Sequence, residues 1–170
     1  MLRINTSNKR ILLPEYDNES LSSKSSIFLA GPTRRGSYFE ASWRYEACEI
    51  LNKLSYKGVV YVPEYPKDCP WDDANIEKQT RWEWEALENA SCICFWIPRD
   101  HDDLIGLTTN VEFGRYLTMK PDSVVLGYPK EAFRMRYLDM LYRECTDRTP
   151  VNTLQETLAL AVERAVANVK

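Results

Sequence analysis

The sequence predicts an α/β domain, a mainly parallel sheet of four to five strands sandwiched between two layers of helices. Three observations predict it. Four short runs, 26–30 (SIFLA), 58–62 (GVVYV), 91–97 (SCICFWI) and 123–127 (SVVLG), are almost continuously apolar, as strands covered on both faces are. Segments with apolar residues at intervals of three and four lie between them, which is helical spacing. Strand and helix then alternate along the chain, the order that builds a parallel sheet through crossovers.

The elements follow in order. Residues 1–24 hold KRILLPEY and then DNESLSSK, polar and aperiodic, which reads as a short strand or arm followed by a linker; residues 25–170 read as one domain. After SIFLA, the residues Phe39, Trp43, Ala47, Ile50, Leu51 and Leu54 form one helical face. Ser37 with Glu40 is a capping-box start for it, and Gly58 follows its end. The second helix covers about 76–90, the third 109–118, and the fourth 131–142 with Phe133, Tyr137 and Leu141 on one face. The last begins at Thr153, which forms a second capping box with Glu156, and Leu154, Leu158, Ala161, Ala165 and Val169 give its stripe.

Composition narrows the function. The 170 residues are 44% apolar and 28% charged, enough for one core without staples. No apolar run approaches the ~20 residues that span a bilayer, and MLRINTSNKR lacks a secretory apolar stretch, so a cytoplasmic protein without membrane contact is expected. Lys and Arg number 22 against 25 Asp and Glu, a net charge of -3, which argues against wrapping polymeric nucleic acid and leaves room for a small anionic ligand. One histidine and five unpatterned cysteines supply no metal-ligand spacing, so no metal is expected and the thiols read as reduced, buried and small. Chemistry, if present, falls to carboxylates.

In open parallel sheets the ligand crevice lies beyond the carboxyl ends of the strands, which directs attention to three segments. Gly31, Pro32, Thr33, Arg34, Arg35 and Gly36 follow the first strand; the glycine permits close approach, and amides with two arginines suit a phosphate or sugar oxygens. The same residues also read as a plain strand-to-helix turn with solvated arginines. The second segment runs from Ile97 to Gly114 and places Glu112, beside Asn110, Thr108 and Thr109, at the sheet's carboxyl edge. A carboxylate there can act as a nucleophile. Thr109 and Glu112 also match a capping box, which gives Glu112 a purely structural reading. The third is QTRWEWE, 79–85, where Glu83 falls on the stripe of Ile76, Leu87 and Ala90 and calls for a partner or a function; Arg44 and Arg81 are candidate partners. Trp82 and Trp84 cannot both face one core, so one is available to a ligand or another subunit.

Taken together, FLAGPTRRG, RWEWEALENASCICFWIPR and GLTTNVEFGRYL resemble the nucleoside 2-deoxyribosyltransferase superfamily, in its branch with a TTNVEFG signature, over residues 26 to about 128. The resemblance implies a flavodoxin-like, Rossmann-like three-layer fold and an enzyme that cleaves or exchanges the N-glycosidic bond of a nucleoside or nucleoside 5'-monophosphate. It implies Glu112 as nucleophile on the anomeric carbon, Glu83 as the acid at the leaving base, and a turn at 31–34 lining the sugar and phosphate. Asn110, Asp102 and Trp82 join the substrate side, and homodimers or higher homo-oligomers are expected. The second acid is commonly Asp in the family and is Glu83 here. Residues 100–103 differ in length and composition from the family pattern, and Thr108, Thr109 and Asn110 hold the space where phosphate-selective hydrolases carry a serine. Breaking a C1'–N bond through an oxocarbenium-like transition state needs carboxylates and no cofactor. Two other classes stand beside this one: a nucleotide-sensing domain that binds without chemistry, and an oligomeric scaffold built on the Trp-rich helix.

Overall fold

The computed structural model describes residues 3–5, 25–34, 42–64 and 72–169. Its centre is a five-stranded parallel sheet in the order β1-β3-β2-β4-β5, formed by β1 (Arg3–Asn5), β2 (Ser26–Ala30), β3 (Val59–Tyr61), β4 (Cys92–Trp96) and β5 (Val124–Gly127). Every residue of β2 to β5 is buried, which explains their near-continuous apolar runs. Arg3–Asn5 supplies the edge strand beside β3, upstream of KRILLPEY, which lies outside the described residues.

Alternation along the strands feeds two cores. Ile27 and Leu29 pack with helices α1 (Trp43–Lys53) and α5 (Leu154–Ala167), through Ala47, Leu51, Leu158 and Ala161. Phe28 and Ala30 face the other way, toward α2 (Asp73–Asn89), α3 (Leu107–Met119) and α4 (Arg136–Thr146), through Leu87, Phe113 and Leu138. Helices thus cover both faces of the sheet, the flavodoxin-like three-layer arrangement. Burial of these side chains is the main source of stability, at about 1.5–3 kcal/mol for each large aliphatic.

Three of the five described helices, α1, α2 and α5, start at a side-chain cap. Thr153 caps α5, its hydroxyl accepting from Glu156 N at 3.2 Å and donating to the Glu156 carboxylate at 2.6 Å, which is the capping box read from sequence. The first helix is capped by Ser42; the Ser37–Glu40 box lies outside the described residues. α4 begins at Arg136, five residues later than its apolar spacing implied, because 131–135 forms turns that include Arg134 at φ 52. Leu138 and Tyr142 therefore carry its buried face, while Tyr137, expected inside, is 74% exposed. α3 begins at Leu107 after Gly106, whose φ of 64 suits glycine. Thr109 lies inside that helix, so Thr109 and Glu112 do not form a capping box. Among the described residues no helix is long and apolar enough to cross a membrane.

Candidate active site

The chain reverses its winding at β2, with β3 on one side and β4 on the other, so the loops leaving β2 and β4 diverge and open a crevice at the carboxyl edge. Gly31 ends β2 at φ 154, and a Cβ there would lie 2.1 Å from the Trp96 carbonyl oxygen and 2.8 Å from the Trp43 ring. The glycine is required by the neighbouring strand and by α1. Pro32 is buried, and its carbonyl accepts from Trp43 Nε1 at 3.0 Å. Thr33 accepts from Arg44 at 2.9 Å.

Arg34 spans the crevice mouth, 3.3 Å from Asp103 and 3.8 Å from Asp100 on the loop after β4. Asp100 organises that loop: one carboxylate oxygen accepts from the backbone amides of Asp102, Asp103 and Leu104 at 2.8–3.0 Å. Those bonds, led by the one from Leu104, hold its carboxyl below the usual range. Asp102, the residue singled out from sequence, is exposed at the turn that Asp100 builds. His101 stacks on Phe133 with ring centroids 3.8 Å apart, which joins this loop to the turn before α4.

Two carboxylates come together from adjacent helices. Glu112 lies in the second turn of α3 and Glu83 in the middle of α2, both partly buried. Burial first, and the negative charge of Glu83 second, push Glu112 up to about 7; Arg44 opposes them. Burial likewise raises Glu83, against a 2.7 Å hydrogen bond from Gln79 Nε2 and the charge of Arg44. Glu112 receives no hydrogen bond from the described residues, and among them it is the Arg44 charge that offsets its burial. Arg81 is engaged one turn away with Glu77 at 2.6 Å, so neither arginine proposed as a partner forms an ion pair with Glu83.

Beneath the pair is a knot that sequence reasoning missed. Arg44 is 1% and Glu64 2% exposed, and they pair at 3.0 Å. Arg44 also donates to the carbonyls of Leu29 (2.9 Å) and Gly31 (2.7 Å), while Ser42 donates to Glu64. A second missed cation, Arg99, is 8% exposed and donates to the side-chain oxygen of Asn110. Trp82 packs on Phe28 and Tyr61 with centroids 6.3 and 6.4 Å away, half in the core. Trp84 is 50% exposed, and Trp96 is buried in β4.

The described thiols show no sign of catalytic activation. Cys48, Cys92 and Cys94 are buried and free, and burial pushes Cys48 and Cys92 up to about 12, far from thiolate formation at neutral pH. Among the described residues no group of three His, Cys, Asp or Glu could hold a metal ion.

The arrangement is a flavodoxin-like α/β domain with an acid pair, partly withdrawn from water, at the switch point of its sheet. The family described as "Nucleoside 2-deoxyribosyltransferase like" matches residues 24–130, and the chain belongs to that family. Its site therefore belongs to a family associated with glycosyl transfer on nucleosides. No curated protein matches the chain.

Proposed function

We propose that the protein breaks the N-glycosidic bond of a nucleoside or nucleoside 5'-monophosphate through Glu112 and Glu83. The observation that carries this reading is the pair itself: two carboxyls, both raised and one acting on the other, on helices of the same sheet face in a chain of this family. Among the described residues Arg44 is the one cation whose charge acts on both Glu83 and Glu112, and Glu64 shares it. The cluster is relieved of excess negative charge when one proton is shared by the pair.

The reaction uses the singly protonated pair with its proton on Glu83; burial favours that proton on Glu112, so it crosses to Glu83 before the attack. The Glu112 carboxylate attacks C1' and forms the C–O bond of a glycosyl ester, while the C1'–N bond breaks and its electrons pass to the base nitrogen. Glu83 delivers its proton to that nitrogen. In the second half, water or another base attacks C1', Glu83 takes a proton from a water nucleophile, and Glu112 leaves as the free carboxylate. Acid–base help of this kind contributes typically about 10²–10⁴-fold.

On the substrate side, the turn of Gly31, Pro32, Thr33 and Arg34 faces the sugar, with Asn110 and Asp102 across the crevice. Trp82 flanks the acid at Glu83, and no cofactor enters. Assembly into a homodimer or higher homo-oligomer is part of the proposal. Its support is the apolar outer face of α3, where Leu107 and Val111, one turn apart, are 74% and 71% exposed.

The test is incubation with a panel of nucleosides and their monophosphates, with and without a second free base, followed by chromatography. Base released without an acceptor identifies a hydrolase, and acceptor-dependent exchange identifies a transferase. Binding of nucleotides with no bond cleavage would replace this reading by a sensing domain.

A further inference from the structure

The buried knot beneath the carboxylates has an arrangement that packing alone does not require. A fully buried arginine is costly unless each face of its guanidinium is satisfied. Arg44 meets that demand with partners from three directions: Leu29 and Gly31 at the end of β2, Thr33 in the turn beyond it, and Glu64 after β3. Ser42 completes the set, capping α1 by accepting from Arg44 N at 3.2 Å while donating to Glu64. The Trp43 ring lies 4.6 Å from the guanidinium carbon and holds the turn through Pro32. One side chain thus fastens the crevice wall on the β2 side to the floor on the β3 side.

Resting on the reading of Glu112 and Glu83 as the reacting pair, we propose that Arg44, with Glu64 as counter-ion, is a positioning residue: it fixes the Gly31–Thr33 turn and holds a buried positive charge against the two carboxyls. Among the described residues, the groups that act on the pair are Arg44 from α1, Glu64 from the segment after β3, Gln79 within α2 and the Tyr116 hydroxyl of α3. Of these only Arg44 is cationic, and its charge favours the ionised form of both carboxyls. Glu64 neutralises part of that charge and opposes ionisation of Glu83. The arginine therefore limits how tightly the pair holds its proton and keeps the singly protonated state near neutral pH. A lysine would keep the charge and lose the fork that reaches Leu29, Gly31 and Thr33 together.

The experiment compares the wild type with Arg44→Lys and with the double variant Arg44→Met/Glu64→Gln, which removes both charges so that no lone ion is left buried. Circular dichroism establishes that each is folded. Titration of ¹³C-labelled glutamate carboxyls by NMR then reads Glu112 directly, and the pH profile of base release reads the pair in turnover. The proposal expects the Glu112 midpoint to rise in the double variant, because Arg44 acts on Glu112 directly, and to stay near the wild-type value in Arg44→Lys. The alkaline limb of the profile should move the same way, while Arg44→Lys raises KM through the loosened turn. A folded double variant whose Glu112 titrates as in the wild type overturns the proposal. Absence of base release by the wild type overturns the reaction assigned to the pair, and the NMR titration then still decides what Arg44 does to it.

Discussion

Replacing Glu112 by glutamine should stabilise the protein above neutral pH while removing its activity. Raising a carboxyl from 4.5 to about 7 corresponds to roughly 3 kcal/mol of differential free energy between its protonated and ionised forms. The folded chain binds this proton more tightly than the unfolded chain does. The stability linked to it is complete below about pH 4.5 and is lost as the pH rises through 7. A glutamine side chain carries no charge at any pH and keeps nearly the same shape, so the Glu112→Gln variant avoids that loss. Because Glu112 retains some contact with solvent, roughly 3 kcal/mol is an upper bound. In a domain of this size it corresponds to a rise in Tm of up to about 10 °C. Thermal unfolding followed by circular dichroism at pH 5 and pH 8 measures the difference. Wild type and variant should nearly coincide at pH 5 and separate at pH 8, the variant melting higher. Equal offsets at both pH values, or a wild type that is the more stable at pH 8, would show that Glu112 is ionised and well paired, and would remove the basis for a shared proton.

Further expectations follow from the same geometry. Gly31→Ala drives a methyl group into the Trp96 carbonyl and the Trp43 ring and should cost about 2 kcal/mol or more, read from urea unfolding; a neutral result would mean that the turn at 31–34 shifts freely. Glu83→Gln should slow release of poor leaving bases far more than good ones, by up to about 10²–10⁴-fold, and an equal loss for all bases would argue against leaving-group protonation. The wild-type rate of base release should fall as the pH climbs past about 7, where the pair loses its shared proton; a rate still rising through pH 8 contradicts that state. Leu107→Glu with Val111→Glu should lower the mass seen by light scattering, and an unchanged mass would place the subunit contact elsewhere.

The four main strands were legible because each is buried on both sides and so reads as a short apolar run. α5 was legible for a different reason, since Thr153 and Glu156 close a local hydrogen-bonded box that depends on nothing distant. α4 was harder. Phe133 has the spacing of a helical face with Tyr137 and Leu141, but it stacks on His101 from a turn, a contact between positions 32 apart in sequence that periodicity cannot register.

In the site, Glu83 stood out as a carboxylate on an apolar stripe, and Glu112 as one at the carboxyl edge of the sheet. Arg44 was noticed only as a partner for Glu83 and Glu64 not at all, because their burial follows from pairing with each other across 20 residues. Alone, each reads as a solvated charge. Gly31 was noticed, but only the folded chain shows that the space beside it is taken by the adjacent strand's carbonyl. Asp100 was passed over for Asp102 because only folded backbone shows which carboxylate of an acidic run collects the amides.

The central claim is that Glu112 forms a bond to the sugar. Acid quenching of the protein during turnover of a nucleoside that it cleaves, followed by intact-mass measurement and peptide mapping, tests this most directly. The account predicts a mass increase equal to one glycosyl group, carried by the peptide containing Glu112 and absent in Glu112→Gln, which releases no base. A glycosyl group on another residue, or base release by Glu112→Gln at the wild-type rate, would contradict it.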